Sequence, residues 1–329
     1  MKAIYLCEKK GNIAYVYGPR ERQRLAPYAG EAVYSLEEAA RSPEARQAEA
    51  IFSTWGMPHL EEAEIPRLFP NLRAVFYAAG SVQHFAAPFL NRNVAVFSAW
   101  QANAVPVAEY TVAQMALAAK GYFRVQALCR QSRQDAARAA GSYPGMYEIK
   151  IGLLGMGAVG RRVADMLRAY ECTVLACDPY APAEVFEKTG AIPATMEEIF
   201  RECHIVSNHL PNLPATRGVI TREMLFSMRE GATFLNTGRG PQLREEDLYD
   251  LLREKPGTTA LLDVLTDEAD SDENPLNRLP NCFITPHIAG SMGNEVHRMA
   301  RYMADEFFRW QAGQKPMWQV TAEMLSTMA

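Results

Sequence analysis

The chain has 329 residues, of which 48% are hydrophobic and 22% charged, and its formal net charge at pH 7 is −4. This balance is that of a soluble globular protein, and the length favours two domains over a single core. The small net charge, with no run rich in Lys and Arg, excludes an electrostatic case for binding nucleic acid or an anionic membrane.

Cysteine usage and the first residues bear on the compartment. The six cysteines are scattered, without a Cys-x-x-Cys pair or disulfide-scaffold density, as expected for reduced thiols in a cytosol. The start, MKAIYLCEKKGN, reaches Lys9 and Lys10 before a signal-peptide core could form, and no apolar run approaches membrane-spanning length. We therefore expect a cytoplasmic protein.

The first hundred residues alternate short apolar runs with helical patterns, which predicts a smaller α/β domain. The strand candidates are 2–7, 31–35, 50–55, 72–80 and 94–100. One helix is predicted over Leu60 to Leu68. Residues 103–120 (NAVPVAEYTVAQMALAAK) are apolar almost all round, so this helix should be buried between domains or in a subunit interface.

From residue 149 onward the alternation is stronger. Six apolar runs lack polar alternation, as strands covered on both faces do: 149–155, 172–178, 204–210, 232–238, 259–264 and 282–287. Helical patterns separate them, including 158–170, 245–255 and a TMEE capping box at 195–198. This order predicts a doubly wound parallel sheet.

The last helical pattern lies beyond residue 292. Its apolar stripe runs from Val296 to Trp310, and the helix is expected to end at Gly313. Its expected role is to return the chain to the first domain. We therefore predict one domain of residues 1–103 and 292–329 and a second of residues 104–291.

A GxGxxG pattern is formed by Gly155, Met156, Gly157, Ala158, Val159 and Gly160. Alone it is a weak signal, because glycines also make ordinary tight turns. Here it follows a predicted strand and opens a predicted helix. Gly155 would allow the turn, Gly157 would let a pyrophosphate approach, and Gly160 would let helix and strand pack. The pattern predicts a dinucleotide site.

The end of the next strand favours NAD over NADP. Asp178 can bond a ribose 2′-hydroxyl and would repel a 2′-phosphate. Pro179 and Tyr180, which follow, offer no cation to hold that phosphate. The competing interpretation of Asp178 is a solvated surface acid.

Arg239 stands between two glycines just past the fourth of these strands. An arginine in a surface turn is the commoner case. Two observations favour a bidentate fork for a carboxylate instead. Open α/β sheets bind ligands past the carboxyl ends of their strands, and Arg239 is the one charge between Ala232 and Leu243.

His287 follows the sixth strand, and three roles compete for it. A metal site lacks partners, because the sequence has no HExxH, no HxxxH and no Cys pair at ligand spacing. A satisfied structural histidine is the second role. An acid/base is favoured, because a nicotinamide site with a carboxylate-binding arginine lacks only a proton donor. The accompanying acid stays open, since four acids crowd Glu268: Asp267, Asp270, Asp272 and Glu273.

Five motifs, in order and spacing, closely resemble those of the D-isomer-specific 2-hydroxyacid dehydrogenases: GLLGMGAVG, HLPNLPATRGVI, MREGATFLNTGRG, LLDV and LPNCFITPHIAGS. The resemblance covers about residues 70–312. It implies a Rossmann cofactor domain, a flavodoxin-like substrate domain, NAD as cofactor, and a homodimer paired through the cofactor domains. It also implies a short form, similar to glyoxylate and hydroxypyruvate reductases or to phosphoglycerate dehydrogenases, but without the regulatory domain of the long phosphoglycerate dehydrogenases.

The resemblance also implies an Arg–Glu–His triad. Arg239 matches the family's NxxRG arginine, His287 its TPH histidine, and Glu268 the acid five residues past the LDV aspartate. Arg239 would grip the substrate carboxylate, His287 would donate the proton, and Glu268 would bond the imidazole. Asp263 is expected to hold the nicotinamide amide.

The resemblance extends to further contacts. Other implied cofactor contacts are Ala158, Val159, Pro179, His209, Leu210, Pro211, Thr216, Thr237 and Gly238. Backbone amides around Ala79, Gly80 and Ser81 would hold the substrate carboxylate.

Two departures from the family pattern bear on the site. Ala269 stands where the family usually has proline after the catalytic glutamate, so the loop geometry is less fixed. The segment 53–60, STWGMPHL, has no Lys or Arg, which disfavours a phosphorylated substrate. Trp55 and Met57 suggest a small or apolar substrate side chain instead.

The predicted function is reversible hydride transfer between NADH and C2 of a small 2-oxo acid, giving a D-2-hydroxy acid. One alternative is an NAD-sensing, corepressor-like binding protein, against which stands the lack of an extension or basic tail. A second is a phosphite-type dehydrogenase, which the triad does not exclude.

Overall fold

The computed structural model describes residues 1–269 and 271–328. The chain separates into two compact units, one of Met1–Ala104 with Ser291–Ala329 and one of Val105–Gly290. Each unit is built on its own sheet of mainly parallel strands, which confirms the predicted α/β fold class. Within the described residues, no helix combines the length and apolarity needed to cross a bilayer.

The described strands and helices have the following bounds. The strands are β1 (Ala3–Leu6), β2 (Val33–Tyr34), β3 (Ala50–Ser53), β4 (Ala74–Tyr77), β5 (Ala95–Ser98), β6 (Lys150–Leu154), β7 (Thr173–Cys177), β8 (Ile192–Pro193), β9 (Ile205–Asn208), β10 (Thr233–Asn236), β11 (Thr259–Leu262), β12 (Cys282–Ile284) and β13 (Gln319–Val320). The helices are α1 (Gly11–Val16), α2 (Pro19–Ala29), α3 (Leu36–Arg41), α4 (Glu64–Leu68), α5 (Ala86–Asn91), α6 (Trp100–Ala119), α7 (Tyr122–Cys129), α8 (Arg133–Ala140), α9 (Ala158–Leu167), α10 (Ala183–Thr189), α11 (Met196–Glu202), α12 (Arg222–Ser227), α13 (Glu245–Glu254) and α14 (Val296–Gln311).

In the first unit the strand order is β2-β1-β3-β4-β5-β13, and β13 runs antiparallel to β5. The parallel strands thus follow the flavodoxin-like order 2-1-3-4-5. Both faces of this sheet are covered, because alternate residues of each strand enter one of two apolar cores. One core takes Tyr5, Phe52, Phe76 and Phe97, and the other takes Ile4, Ile51, Val75 and Val96.

In the second unit the order is β8-β7-β6-β9-β10-β11-β12, and every pair is parallel. The first strand, β6, lies between β7 and β9, so the chain order reverses beside it, and ligands bind at such switch points. The register aligns one residue from each of six strands: Leu154, Cys177, Asn208, Asn236, Leu262 and Ile284. The residues that follow these six therefore start from one edge of the sheet.

The structure differs from the sequence prediction in three places. Helices α7 and α8 were not predicted; the apolar residues of α7 lie all round the helix without forming one stripe, and α8 is largely polar apart from its alanines, of which Ala136 is buried. Helix α4 begins at Glu64 rather than at residue 60, which places Pro66 in its first turn, where the missing N–H removes no helical hydrogen bond. Strands β8 and β13 have two residues each, too few to form a pattern.

A buried carboxylate of the first unit gives a test of this fold. Glu306, 1% exposed, accepts hydrogen bonds from the Met317 N–H at 2.7 Å and the Trp318 N–H at 3.1 Å. It thereby joins α14 to the chain that enters β13. Glu306→Ala leaves both donors unpaired, so we expect the free energy of unfolding to fall by about 1–3 kcal/mol in urea titrations.

The neighbouring acid provides the control for this test. Asp305 is exposed and pairs with Arg24 at 2.7 Å, so Asp305→Ala should cost less than about 1 kcal/mol. Equal losses for the two variants would contradict the role given to Glu306.

Candidate active site

The glycine loop leaves β6 at the switch point. Gly155 has φ +93°, a conformation that favours glycine. A Cβ there would lie 2.9 Å from the His209 carbonyl oxygen. The Gly155 N–H donates to the Cys177 carbonyl at 2.8 Å, which fixes the turn against the end of β7.

The other two glycines of the loop differ in what surrounds them. A Cβ on Gly160 would lie 2.0 Å from the Gly155 carbonyl oxygen, so α9 can approach the loop only with glycine there. A Cβ on Gly157 would meet nothing within 4 Å. Gly157 is the N-cap of α9, with no side-chain capping bond. The uncapped N–H groups of Ala158 and Val159 thus begin a helix beside open space, which suits an anion.

Asp178 follows β7, and its carboxylate is bound to the same loop. One oxygen accepts the Met156 N–H at 2.7 Å and the other accepts the Tyr180 N–H at 2.9 Å. Pro179 and Tyr180 are exposed beside it. Each carboxylate oxygen keeps a lone pair for a further donor, such as a ribose hydroxyl.

Arg239 follows β10 and is largely buried. Its Nη1 donates to the Gly238 carbonyl at 2.7 Å, and among the described residues no carboxylate lies within ion-pair distance of it. Burial lowers the pKa of the guanidinium, and the charge of Glu268 opposes that shift. An arginine remains protonated even so. Within the part of the chain that the structure describes, the guanidinium is thus a cation with no direct counter-ion.

His287 and Glu268 form a close pair beyond β12. The His287 Nδ1 lies 3.0 Å from each carboxylate oxygen of Glu268. Both side chains are about half exposed, at 44% and 48%. With Nδ1 bound to a carboxylate, Nε2 is left for another partner.

Asp263, after β11, holds the turn on which His287 stands. Its carboxylate accepts the Thr285 hydroxyl at 2.7 Å and the N–H groups of Ile288 and Ala289, each at 2.8 Å. Asp263 is 3% exposed, and His287 between these partners has φ +56°, which is rare for a non-glycine residue. Asp263 therefore stabilises a strained turn.

A cavity adjoins this turn. Its volume is about 260 Å³, and polar groups of Tyr110, Thr237, Asp263 and Thr285 line it together with apolar side chains such as Phe283. The Tyr110 hydroxyl lies 2.9 Å from the Thr285 hydroxyl, which links α6 to Asp263.

His209, after β9, is held as a neutral ring. Its Nε2 lies 3.0 Å from the Ser207 hydroxyl and its Nδ1 lies 3.4 Å from the Thr237 hydroxyl. Burial lowers the pKa of His209 to about 4. The ring of His209 is therefore uncharged near pH 7.

The loop after His209 is closed by a threonine. The Thr216 hydroxyl donates to the Pro211 carbonyl at 2.6 Å and accepts the Leu213 N–H at 3.1 Å. Gln242 binds the other side of this loop, at the carbonyls of Leu210 and Pro211. Sequence reasoning missed Gln242, as it missed the buried Asn208 and Asn236. Their only signal was an amide inside or beside a run of otherwise apolar residues.

The remaining predicted residues lie in the first unit, past β3 and β4. The Ser98 hydroxyl bonds to the carbonyls of Ala79 and Gly80, at 2.9 and 2.8 Å. Among the described residues, the N–H groups of Gly80 and Ser81 have no hydrogen-bond acceptor. Trp55 is 36% exposed.

Met57 differs from its sequence-based role. It is 4% exposed and belongs to the apolar core of the first unit. It is therefore not free to select a substrate side chain.

Comparison with known proteins gives a family match and several relatives. Residues 112–289 match the model of the "D-isomer specific 2-hydroxyacid dehydrogenase, NAD binding domain". The chain is 31% identical over 201 residues to a D-3-phosphoglycerate dehydrogenase of Methanocaldococcus jannaschii, covering 61% of this chain and 38% of the relative. It is 34% identical over 140 residues to a hydroxypyruvate reductase of Blautia hydrogenotrophica, covering 42% and 43%.

The fold is similar to solved structures over nearly the whole chain. A phosphoglycerate oxidoreductase from Rhizobium etli superposes with a TM-score of 0.82 at 20% identity, covering 99% of both chains. By contrast, the chain spans less than half the length of the two curated relatives named above.

The glycine loop gives a matched pair of variants. Gly160→Ala places a Cβ against the Gly155 carbonyl and should lower the free energy of unfolding by about 1–3 kcal/mol. Gly157→Ala meets no atom, and its φ of −73° suits alanine, so stability should stay within about 0.5 kcal/mol. It should nevertheless raise the Kd for NADH about tenfold, which is about 1.4 kcal/mol.

Urea titration and NADH fluorescence titration measure the two effects separately. If Gly157→Ala bound NADH like the wild type, the open space above the loop would not be a pyrophosphate site.

Proposed function

The chain belongs to the D-isomer-specific 2-hydroxyacid dehydrogenase family, and we propose that it interconverts a small 2-oxo acid and a D-2-hydroxy acid with NAD as cofactor. One observation above all supports this proposal. A largely buried Arg239 with no ion-pair partner among the described residues, an exposed Glu268–His287 pair and a glycine loop that leads into an uncapped helix N-terminus all follow strands that end at one edge of the second unit's sheet.

The loop residues fit the cofactor. Gly157 leaves room for a pyrophosphate, and the first N–H groups of α9 would bind it. Asp178 would bind the adenosine ribose and, being anionic, would disfavour a 2′-phosphate. Thr237 and Asp263 would line the nicotinamide end, beside the cavity described above. Bound NADH would supply the hydride that is added to C2 of the 2-oxo acid.

Arg239 and His287 would divide the remaining chemistry. The Arg239 guanidinium would bind the substrate carboxylate through two hydrogen bonds and so orient the 2-oxo group. The His287 Nε2 would donate a proton to the carbonyl oxygen as negative charge develops there. Glu268 would keep a proton on Nδ1 and hold the ring in position. In the reverse direction the same nitrogen would accept the hydroxyl proton.

Residues of the first unit would contact the substrate, which we propose is a small 2-oxo acid. The unpaired N–H groups of Gly80 and Ser81 support their role as carboxylate donors, and the exposure of Trp55 supports its contact with the substrate side chain. The six cysteines are free thiols, which supports a cytoplasmic location.

Enzyme kinetics test this function directly. Purified protein should oxidise NADH, and NADPH more slowly, with one of glyoxylate, hydroxypyruvate, pyruvate or bulkier 2-oxo acids. His287→Gln should lower kcat by about 10²–10⁴-fold, and Arg239→Ala should raise the KM for the 2-oxo acid. Glu268→Gln should lower kcat, whereas Glu273→Gln, an exposed acid of the same loop, should not.

Other outcomes favour other functions. Tight NADH binding without turnover of any 2-oxo acid would favour an NAD-sensing binding protein. NADH formation from NAD and phosphite would favour a phosphite-type dehydrogenase. Full activity of the Arg239 and His287 variants would refute the proposed mechanism.

We also propose that the chain forms a homodimer through its second unit. Helix α7 (YFRVQALC) has no buried residue despite its apolar sequence. Its first residue, Tyr122, is 49% exposed, and Leu117 of α6 is 40% exposed. A second copy of the chain would cover this surface, as the apolar sequence of α6 also suggests.

Sedimentation equilibrium tests the dimer. The wild type should have twice the chain mass of 36.7 kDa, and Leu117→Glu combined with Tyr122→Glu should give the monomer. Ile192→Glu, on the exposed edge strand β8, is the control and should leave the mass unchanged. A monomeric wild type at micromolar concentration would refute the dimer.

A further inference from the structure

Three amide side chains are buried together beside Arg239. Asn208 ends β9, Asn236 ends β10, and Gln242 ends the short 3-10 turn Gly240–Gln242. Each is at most 1% exposed. Burying an amide is unfavourable unless its donors and acceptors are paired, so the partners of these groups indicate what they do.

The two asparagines bind each other and the main chain on either side of them. The Asn208 Nδ2 donates to the Asn236 Oδ1 at 3.0 Å, and that oxygen also accepts the Gly238 N–H at 3.0 Å. The Asn236 Nδ2 donates to the Arg239 carbonyl at 3.1 Å. The Asn208 Oδ1 accepts the Leu210 N–H at 3.2 Å. Hydrogen bonds thus hold the main chain on both sides of the Arg239 side chain, in the turn formed by residues 238–240 (the Arg239 turn).

Gln242 joins the loop 209–211, which would contact the cofactor, to Arg239, which would bind the substrate carboxylate. Its Nε2 donates to the carbonyls of Leu210 and Pro211, at 2.7 and 2.9 Å. Its Oε1 accepts the Arg239 N–H at 3.1 Å and a hydrogen bond from Asn208. One side chain therefore holds the predicted cofactor loop with one end and the main chain of Arg239 with the other.

The neighbouring glycines show how tightly the turn is packed. A Cβ on Gly238 would lie 3.0 Å from both the Asn208 Nδ2 and the Gln242 Oε1. A Cβ on Gly240 would lie 2.1 Å from the carbonyl carbon of Leu265. The turn therefore has little freedom to shift as long as the amide network is intact.

We propose that Gln242 is a positioning residue that, with Asn208 and Asn236, sets the Arg239 turn at a fixed distance from the cofactor loop 209–211. This inference rests on the proposed function, because it assigns the network to the binding of NADH and of the substrate carboxylate. Gln242→Leu keeps a side chain of similar size but would leave the Arg239 N–H and the Leu210 carbonyl without these partners, and the Pro211 carbonyl would keep only its bonds from Thr216 and Leu213. The loops could then move apart to reach water.

Asn281 provides a matched control in the same unit. It is 3% exposed, and its Nδ2 donates to the carbonyls of Leu252 and Thr258, each at 2.9 Å. Asn281 and Thr258 directly precede β12 and β11, at the opposite ends of these strands from the site, and Leu252 belongs to α13. Asn281→Leu therefore removes a buried amide with two bonds to carbonyls without touching the loops.

The test compares Gln242→Leu with Asn281→Leu. Both should lower the melting temperature. Only Gln242→Leu should raise the Kd for NADH, measured by fluorescence titration, and lower kcat/KM for the best 2-oxo acid by about 100-fold, as expected when a reacting group is displaced by about 1 Å. A normal NADH Kd or a normal kcat/KM in a folded Gln242→Leu variant would overturn the proposal.

Two further measurements keep the outcome clear. If Gln242→Leu does not fold, Gln242→Met, which fills the same space with a more flexible chain, takes its place. In the wild type, the Gly238, Arg239 and Leu210 amide protons should exchange as slowly as those within β10, and fast exchange would overturn the proposal. If the wild type reduces no 2-oxo acid, the proposed function fails, while the NADH titrations still decide whether Gln242 positions the loops.

Discussion

The parallel register of the second unit's sheet is the constraint on which the candidate site depends. Leu154, Cys177, Asn208, Asn236, Leu262 and Ile284 are paired in a row across six strands. Each strand then enters a loop at the same edge. The backbone hydrogen bonds of the sheet thus bring together residues far apart in sequence, from the glycine loop to His287, and side-chain contacts such as those of Asp178, Asp263 and Glu268 then fix their loops.

Beyond that edge, charge and burial give each side chain different surroundings. Arg239 is largely buried and, among the described residues, has no carboxylate within ion-pair distance, which suits an anionic ligand. His287 is exposed, and Glu268 lies against its Nδ1, which leaves Nε2 for another partner. The ring of His209 lies between the hydroxyls of Ser207 and Thr237, and burial lowers its pKa to about 4. The two histidines thus differ in what surrounds each ring, although both follow strands that end at the same edge of the sheet.

Much of the fold could be predicted from the sequence, because strands buried on both faces form near-continuous apolar runs. The five parallel strands of the first unit, β1 to β5, and six strands of the second were predicted in this way, with boundaries in error by a few residues. Helices α7 and α8 were missed because they bury almost nothing within the chain. Gln242 was missed because pattern reasoning treats an amide near a turn as solvated, whereas here it is 1% exposed.

The sequence by itself determined the α/β class and the glycine loop, since both follow from local composition and spacing along the chain. The same spacing left five acids of the 267–273 loop as candidates, and only the resemblance to a known family favoured Glu268. The tertiary structure decided the geometry: it sets both Glu268 oxygens 3.0 Å from His287, on a left-handed turn held by Asp263. Periodicity reports which face of an element is buried, but the conformation of an irregular loop depends on hydrogen bonds to distant strands.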